Sequence, residues 1–393
     1  MTVRANKPAF NIREKLKELE RPIGVKGNEL MRAETVQDAR DFISAGRKNL
    51  VINGDMRIAQ RATSQTNITS SGYYTLDRQQ VAFYPQGAVL TESRSTDSPD
   101  DFAYSRKIEV TTAGNSATWL LLSYKFEGQD VQSLAKGTTN AKSATLSFWV
   151  KANHSGKYAV ELHDSDNSRQ VSFPYYINTA NTWQKIEVTF PPDTTGAFTS
   201  DNTESLQISW FLSAGTTFTG GSMTGNWRAN SNSNRAVGIN QFTNTVGNQF
   251  YITGIQLEVG KNATEFEHRS YGEELALCHR YYYRHADGAW DVHHAVASGM
   301  WYQTTSTYFV IHFPVEMRTA ASLDYSSNGS TTAFVVFNQA SSSTTDDITT
   351  QEQGRTCYVI NIYNLSPART AGYGAWAQIN NNSGAHISFS AEL

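Results

Sequence analysis

The spacing of apolar residues changes once in this chain, after Lys48, and that change limits the fold more than any other feature. From Asn49 onward apolar side chains recur at every second residue, the spacing that places them on one face of a β-strand. Leu146, Phe148 and Val150 share a face, as do Tyr158, Val160 and Leu162, then Ile186, Val188 and Phe190, then Leu206, Ile208, Trp210 and Leu212. Similar patterns lie at 80–84, 107–111, 119–126 and 250–259. In the last of these the parity switches between Ile252 and Ile255, so Gly254 is expected to mark a bulge. About nine or ten strands in residues 49–270 predict a two-sheet sandwich with jelly-roll winding. Residues 271–393 read as a second β-sandwich. A possible helical turn within 273–284 leads into the run Tyr281-Tyr282-Tyr283, and strands are expected near 301–313, 332–337, 356–363, 373–379 and 385–393. With charged residues at 18% and Thr, Ser, Asn and Gly abundant, the composition suits short strands joined by polar turns. No internal repeat points to a solenoid or propeller.

Residues 1–48 differ in kind. Ile12, Leu16 and Leu19 fall on one helical face, with Asn11 placed to cap the helix and Glu14 to complete a capping box. Val36, Ala39, Phe42 and Ile43 form a second such face, ended by Gly46. The fold class expected is therefore mainly β, a short helical N-terminal arm followed by two jelly-roll-like β-sandwich domains. The arm holds eleven Lys and Arg against seven Asp and Glu, so it is +4, and the net −3 of the whole leaves −7 for the rest. Its charges alternate in sign, which argues against nucleic acid as a partner. Its apolar stripes have no globular body of their own to cover, so the arm is expected to dock on another protein or another copy. No stretch is apolar enough to span a membrane, and the N-terminus lacks the apolar core of a signal peptide.

Several phrases of the body resemble structural proteins of tailed phages, particularly marine cyanophages. They are Asn49-Leu50-Val51-Ile52-Asn53-Gly54-Asp55-Met56, the strand 144–151 with Gly156-Lys157-Tyr158, Thr182-Trp183-Gln184-Lys185-Ile186, and the run 250–260. Glu267-His268-Arg269-Ser270 followed by Gly272-Glu273-Glu274-Leu275, and Phe313-Pro314-Val315-Glu316-Met317-Arg318, complete the set. The resemblance covers most of 49–320. It implies a virion protein, a tail fibre or other virion component, with a central module similar to carbohydrate-binding jelly rolls, and as a host-attachment fibre the chain is expected to be a homotrimer. The partners expected are a tail adaptor or capsid protein, bound through the arm, and a host surface glycan.

The search for chemistry yields no catalytic constellation. Glu161 and Asp164 are three apart on a strand and face opposite ways, so with Asp166 they read as solvated edge and turn residues. The Asp164-Ser165-Asp166-Asn167 turn offers oxygen ligands without the full pattern of a calcium loop. His279, His285, His293 and His294 lack metal-ligand geometry, and no metal or cofactor is expected. Cys278 and Cys357 read as two buried thiols. Sugar rings stack on exposed aromatics, and the loop-borne Trp227, Trp290 and Trp376 are the candidates for ligand contact, whereas Trp149 and Trp210 are assigned to the core. Host attachment without enzymatic activity is the reading favoured. A decoration protein of capsid or tail is the alternative, and a polysaccharide depolymerase ranks below both.

Overall fold

The computed structural model describes residues 48–339 and 341–393. The arm residues Ile12, Leu16, Leu19, Val36, Phe42 and Ile43 lie outside them. In the first module a six-stranded antiparallel sheet runs Ser64–Ile68, Val89–Ser95, Ser105–Thr112, Gln249–Val259, Ala144–Ala152, Gln184–Phe190. It faces a seven-stranded sheet of order Arg228–Ala229, Arg169–Ile177, Gly156–Asp164, Glu204–Ala214, Trp119–Glu127, Gln80–Tyr84, Gly72–Tyr73. Between Ser105 and Val259 the chain passes from one sheet to the other at six of its eight connections. The alternating residues of both sheets, Leu146, Phe148, Val150, Val160, Leu162, Ile208 and Trp210 among them, fill one shared core. Gly254 sits in the left-handed region (φ +60°) where the pairing of Gln249–Val259 with Ala144–Ala152 shifts register, as the parity switch requires.

The second module puts a three-stranded sheet, ordered Tyr282–Asp287, His386–Ser390, Ser322–Ser326, over a seven-stranded one. The latter runs Ser341–Thr345, Phe334–Asn338, Gly374–Ile379, Ala295–Gln303, Ser306–His312, Cys357–Ile362, Ile348–Gln353. Trp301, Phe309, Phe334, Tyr358, Ile387 and Phe389 meet in a core separate from the first. The expected single strand at 301–313 is a hairpin, because Thr304 and Thr305 turn the chain with none of the Gly, Pro or Asn that announces a turn. Cys278 is buried, but Cys357 faces outward on its strand and is only half-buried, which corrects the pairing of the two as buried thiols.

Residues 49–393 form a single contact unit, and buried charge joins the two modules. Arg78, inside the first, forms an ion pair with Glu392 and donates from Nη2 to the Lys125 carbonyl at 2.6 Å. Its guanidinium also lies 3.5 Å from the ring centre of Tyr281, which belongs to the second half. Arg61 reaches Glu392 at 3.2 Å and covers Tyr282 at 3.7 Å. Arg280 grips Glu127 through two hydrogen bonds of 2.7 and 2.6 Å, and the Tyr281 hydroxyl donates to the same carboxylate at 2.5 Å. Burial alone pushes the Glu127 carboxyl up, but the hydrogen bonds from Arg280 and Tyr281 outweigh it and hold the group below the usual carboxylate range. Its contribution is therefore complete above the ordinary glutamate value and lost as pH falls through the depressed folded one. The stability difference between the native chain and Glu127→Gln is expected to shrink steadily from neutral pH into that acid range. Denaturant titrations at a series of pH values measure it, and a difference that does not change with pH rules the attribution out.

Phrases that carry the phage resemblance build this region. Asn53 (φ +58°) accepts from Ile58 N, donates to the Ile58 and Asp77 carbonyls, and gives its own N–H to Glu274 at 2.5 Å. Arg269 donates to the Val51 carbonyl and pairs with Glu274. Ser270 caps the helix Tyr271–His279, and Arg318 donates to the carbonyls of Asn202, Ala391 and Glu392. These residues hold backbone in place.

Candidate functional site

The outward positions of the six-stranded sheet hold a cleft of about 440 Å³, within the range of small-ligand sites. Its floor comes from strand register. Trp149 pairs with Lys185 on one side and with Thr253 on the other, so the indole lies beside the Gly254 bulge. A Cβ at Gly254 would stand 2.7 Å from Phe102 and 3.0 Å from Trp149, so only glycine lets both rings close on the backbone. Ser147 lines the floor two residues before Trp149.

One wall is the loop 96–104. It is folded by hydrogen bonds from Ser98 Oγ to the Phe102 carbonyl (2.5 Å) and from Ser105 Oγ to the Asp97 carbonyl (2.6 Å), and it presents Asp100, Asp101 and Phe102. The opposite wall is the segment Thr264 to His268, strapped to the last strand of the sandwich. Buried Glu258 accepts from Thr264 N at 3.0 Å, and Gln256 Oε1 accepts from Glu267 N at 2.8 Å. That strap brings Phe266 and His268 against Phe102, with ring centres 5.0 and 5.6 Å away, and sets Glu265 at the rim. The cleft thus combines four aromatic rings with three carboxylates, Lys185 and Thr264.

A second aromatic set continues across the same face. Lys151 lies 5.2 Å over Trp183 and 4.7 Å over Tyr251, and its ammonium pairs with Asp97. Trp183 Nε1 also donates to Asp97 at 3.1 Å. Partial burial pushes the Asp97 carboxyl up, but these two hydrogen bonds prevail and keep it below its ordinary value. The geometry supplies flat apolar surface beside fixed donors and acceptors, the combination that holds a polar ring with apolar faces.

The tryptophans expected to contact ligand do not gather here. Trp227 is half-buried, donates to the Pro191 carbonyl at 2.8 Å, and closes a cavity of about 20 Å³, room for one water. Trp290 is 61% exposed on the turn after Asp287, next to His294. Trp376 stacks on Phe337 at 5.1 Å on the outer face of the second module's larger sheet. Among the described residues no ring contact joins any two of the three.

Two assignments are corrected. Trp149 is not core: Leu146, Phe148 and Val150 point inward, so residue 149 points out, and the alternation itself carried that signal. Glu161 and Asp164 are not solvated but buried. The segment 215–240 folds over the outer face of the Gly156–Asp164 sheet, where Phe218, Ala236 and Ile239 pack on Leu121, Ala159 and Phe211. It brings Arg235 onto Glu161 at 2.6 Å, and Ser172 Oγ donates to the same carboxylate at 2.9 Å. Asp164 is held by Lys136 at 2.5 Å, and that ammonium also donates to the Thr195 and Gly196 carbonyls. In the turn that offered oxygen ligands, the Asp164 carboxylate already serves a cation of the protein's own. Burial pushes the His279 and His285 imidazoles down, and His285 Nε2 lies 2.6 Å from the Val296 carbonyl oxygen. Among the described residues no three potential metal ligands converge.

No protein-family model matches the chain, and no curated protein matches it by sequence. Solved structures do. The enzymatically active domain of Bacteriophage CBA120 tailspike protein 4 is similar over 54% of this chain at 13% identity and a TM-score of 0.30, and the match spans 21% of the tailspike's length. A TmCBM61 structure in complex with β-1,4-galactotriose matches over 54% of this chain and 99% of its own, at 9% identity and a TM-score of 0.29. The N-terminal CBM22-1-CBM22-2 tandem domain of Xyn10C from Paenibacillus barcinonensis matches over 89% of this chain and 99% of its own, at 10% identity and a TM-score of 0.26.

Proposed function

We propose that this chain is a structural protein of a phage particle that binds a surface glycan, and that the sugar lies in the cleft over Trp149. The observation that carries the reading is the convergence of Trp149, Phe102, Phe266 and His268 with Asp100, Asp101, Lys185 and Glu265 in one solvent-open cleft. A pyranose has an apolar face and an equatorial belt of hydroxyls, so it needs both halves of that set. Placement on a virion, as a tail or tail-fibre component docked through residues 1–48, is supported by the resemblance of its sequence phrases to phage structural proteins and by the uncovered apolar stripes of that arm. In this reading the chain binds sugar without cleaving it. Glu161 and Asp164, the carboxylates first weighed for catalysis, are locked in ion pairs away from the cleft.

Trp149→Ala in the full chain is expected to weaken binding of its glycan by about tenfold or more. Trp290→Ala and Trp376→Ala are expected to leave the per-site affinity unchanged. A glycan array followed by calorimetry on the best hit makes the measurement. If loss appears with Trp290→Ala or Trp376→Ala and not with Trp149→Ala, the site belongs to the second module. Release of reducing ends from bound polysaccharide, abolished by Glu265→Gln, would show a hydrolase instead.

A further inference from the structure

The larger sheet of the second module breaks the usual rule for a sheet with one face turned to water, apolar inside and polar outside. Its inner positions, Trp301, Phe309, Tyr358, Ile360 and Ala377, are buried as expected. Several of its outer positions are large and apolar as well, set among the polar Ser298, His312, Asn361 and Gln378. Trp376 is 42% exposed, Met300 47%, Tyr302 52% and Val310 48%. Tyr302 stacks on Tyr308 at 4.5 Å and Trp376 on Phe337 at 5.1 Å, so the rings lie in flat pairs that are already ordered. Six of the seven strands contain no Asp, Glu, Lys or Arg at all, the exception being Glu352 in the edge strand Ile348–Gln353. The outer face of the first module's six-stranded sheet shows what solvent exposure normally selects: Lys107, Glu109, Lys151, Lys185 and Glu187.

We propose that this uncharged aromatic face is where a second copy of the chain docks, face against face. An occupant must itself be free of charge over the contact, because any Lys or Asp it brought would be buried without an ionic partner. The same face on another copy meets that condition. Its relief is uneven: Met300 stands between Tyr308 and Gly374, and Trp376 between Phe337 and Ser298, so each pair of bulky side chains borders a position of little or no side chain. The area is also sufficient. With roughly 150–250 Å² for each ring side chain, the half-exposed residues alone offer on the order of 400 Å², the size of the largest apolar patch on a typical monomer, which is often a functional surface. Adding the half-buried Phe337, Tyr308 and Val359 and the polar positions around them brings each partner towards the roughly 800 Å² of a standard interface. Aromatic and Met side chains enriched at the centre of a patch from which charge is excluded are the composition of protein interfaces.

The test uses the full chain. Sedimentation velocity across a concentration series is expected to show reversible association, weakened at least about tenfold in Met300→Lys/Val310→Lys with melting close to the native chain. Because residues 1–48 could join copies independently, a second readout follows the face itself. In native protein, oxidation of Met300 and Trp376 by hydroxyl radicals is expected to be several-fold slower in the associated state than after dilution, while Trp290 reacts equally in both. The proposal fails if the chain stays monomeric at tens of micromolar, if the double variant associates as tightly as the native chain, or if Met300 and Trp376 oxidise equally in both states.

Discussion

Replacing Glu392 by Ala is expected to remove about 3–5 kcal/mol of stability, the usual result of stranding a buried cation. Arg78 is 1% exposed, and among the described residues Glu392 is the one carboxylate it pairs with. Its other contacts, among them the Lys125 carbonyl and the Tyr281 and Tyr124 rings, soften the charge without neutralising it. The position of the pair matters as much as its strength. Arg78 belongs to the first sandwich, Glu392 follows the last strand of the second, and Arg61 and Arg318 close on the same terminal segment from both sides. The loss should therefore appear as a change in cooperativity. Native protein is expected to unfold in one denaturant transition, and Glu392→Ala in two, the second module separating first. Glu392→Gln retains hydrogen-bonding oxygen without the charge and should fall between them. A single transition in Glu392→Ala, displaced by less than about 1 kcal/mol, would mean that the modules are held by their apolar contacts and not by this pair.

The sandwich was legible because both its sheets obey alternation where they are central. Leu146, Phe148, Val150, Ile208 and Trp210 occupy the core that their spacing predicts. What escaped prediction lies mostly at edges. Ser64–Ile68, Ser341–Thr345 and Ile348–Gln353 are polar edge strands with little buried side to create a pattern. Arg169–Ile177 carries Pro174, which demotes a strand unless its missing N–H faces a free edge. Here it does, since the neighbour beyond it pairs only at Arg169 and Gln170. The candidate site was half legible. Parity already turned Trp149 outward, but Phe102, Phe266 and His268 reach the cleft on irregular segments, the first folded by the Ser98 and Ser105 hydroxyls and the second strapped by buried Glu258 and Gln256, contacts that leave no periodic pattern in the sequence. Glu161 shows the complementary limit. Alternation tells which face a residue takes, but not whether a segment some 70 residues later covers that face, as the one bearing Arg235 does.

The pair of Glu92 and Arg106 gives the second large effect, with the opposite sign in its double variant. Both side chains point into the first core from adjacent strands, 0% and 1% exposed, and meet at 2.6 Å. Glu92→Ala or Arg106→Ala alone should cost about 3–5 kcal/mol, since each leaves the other charge in an apolar surround. The geometry of the pair is incomplete, however. One carboxylate oxygen of Glu92 receives no hydrogen bond from any described residue, and the contact from Arg106 Nη2 to the Gln79 carbonyl is long at 3.5 Å. The Coulombic attraction therefore has a large desolvation cost to offset, with few hydrogen bonds to help it. Glu92→Met/Arg106→Met replaces both charges with apolar chains of similar reach. It is expected to be neutral, or more stable than the native chain by about 1–4 kcal/mol. Chemical denaturation of all four proteins completes the cycle, and a coupling energy of several kcal/mol is the expected value. If the double variant loses the sum of the two single losses, the ion pair is not what each charge requires, and the polar residues around it, Gln79 first, must be satisfying them independently.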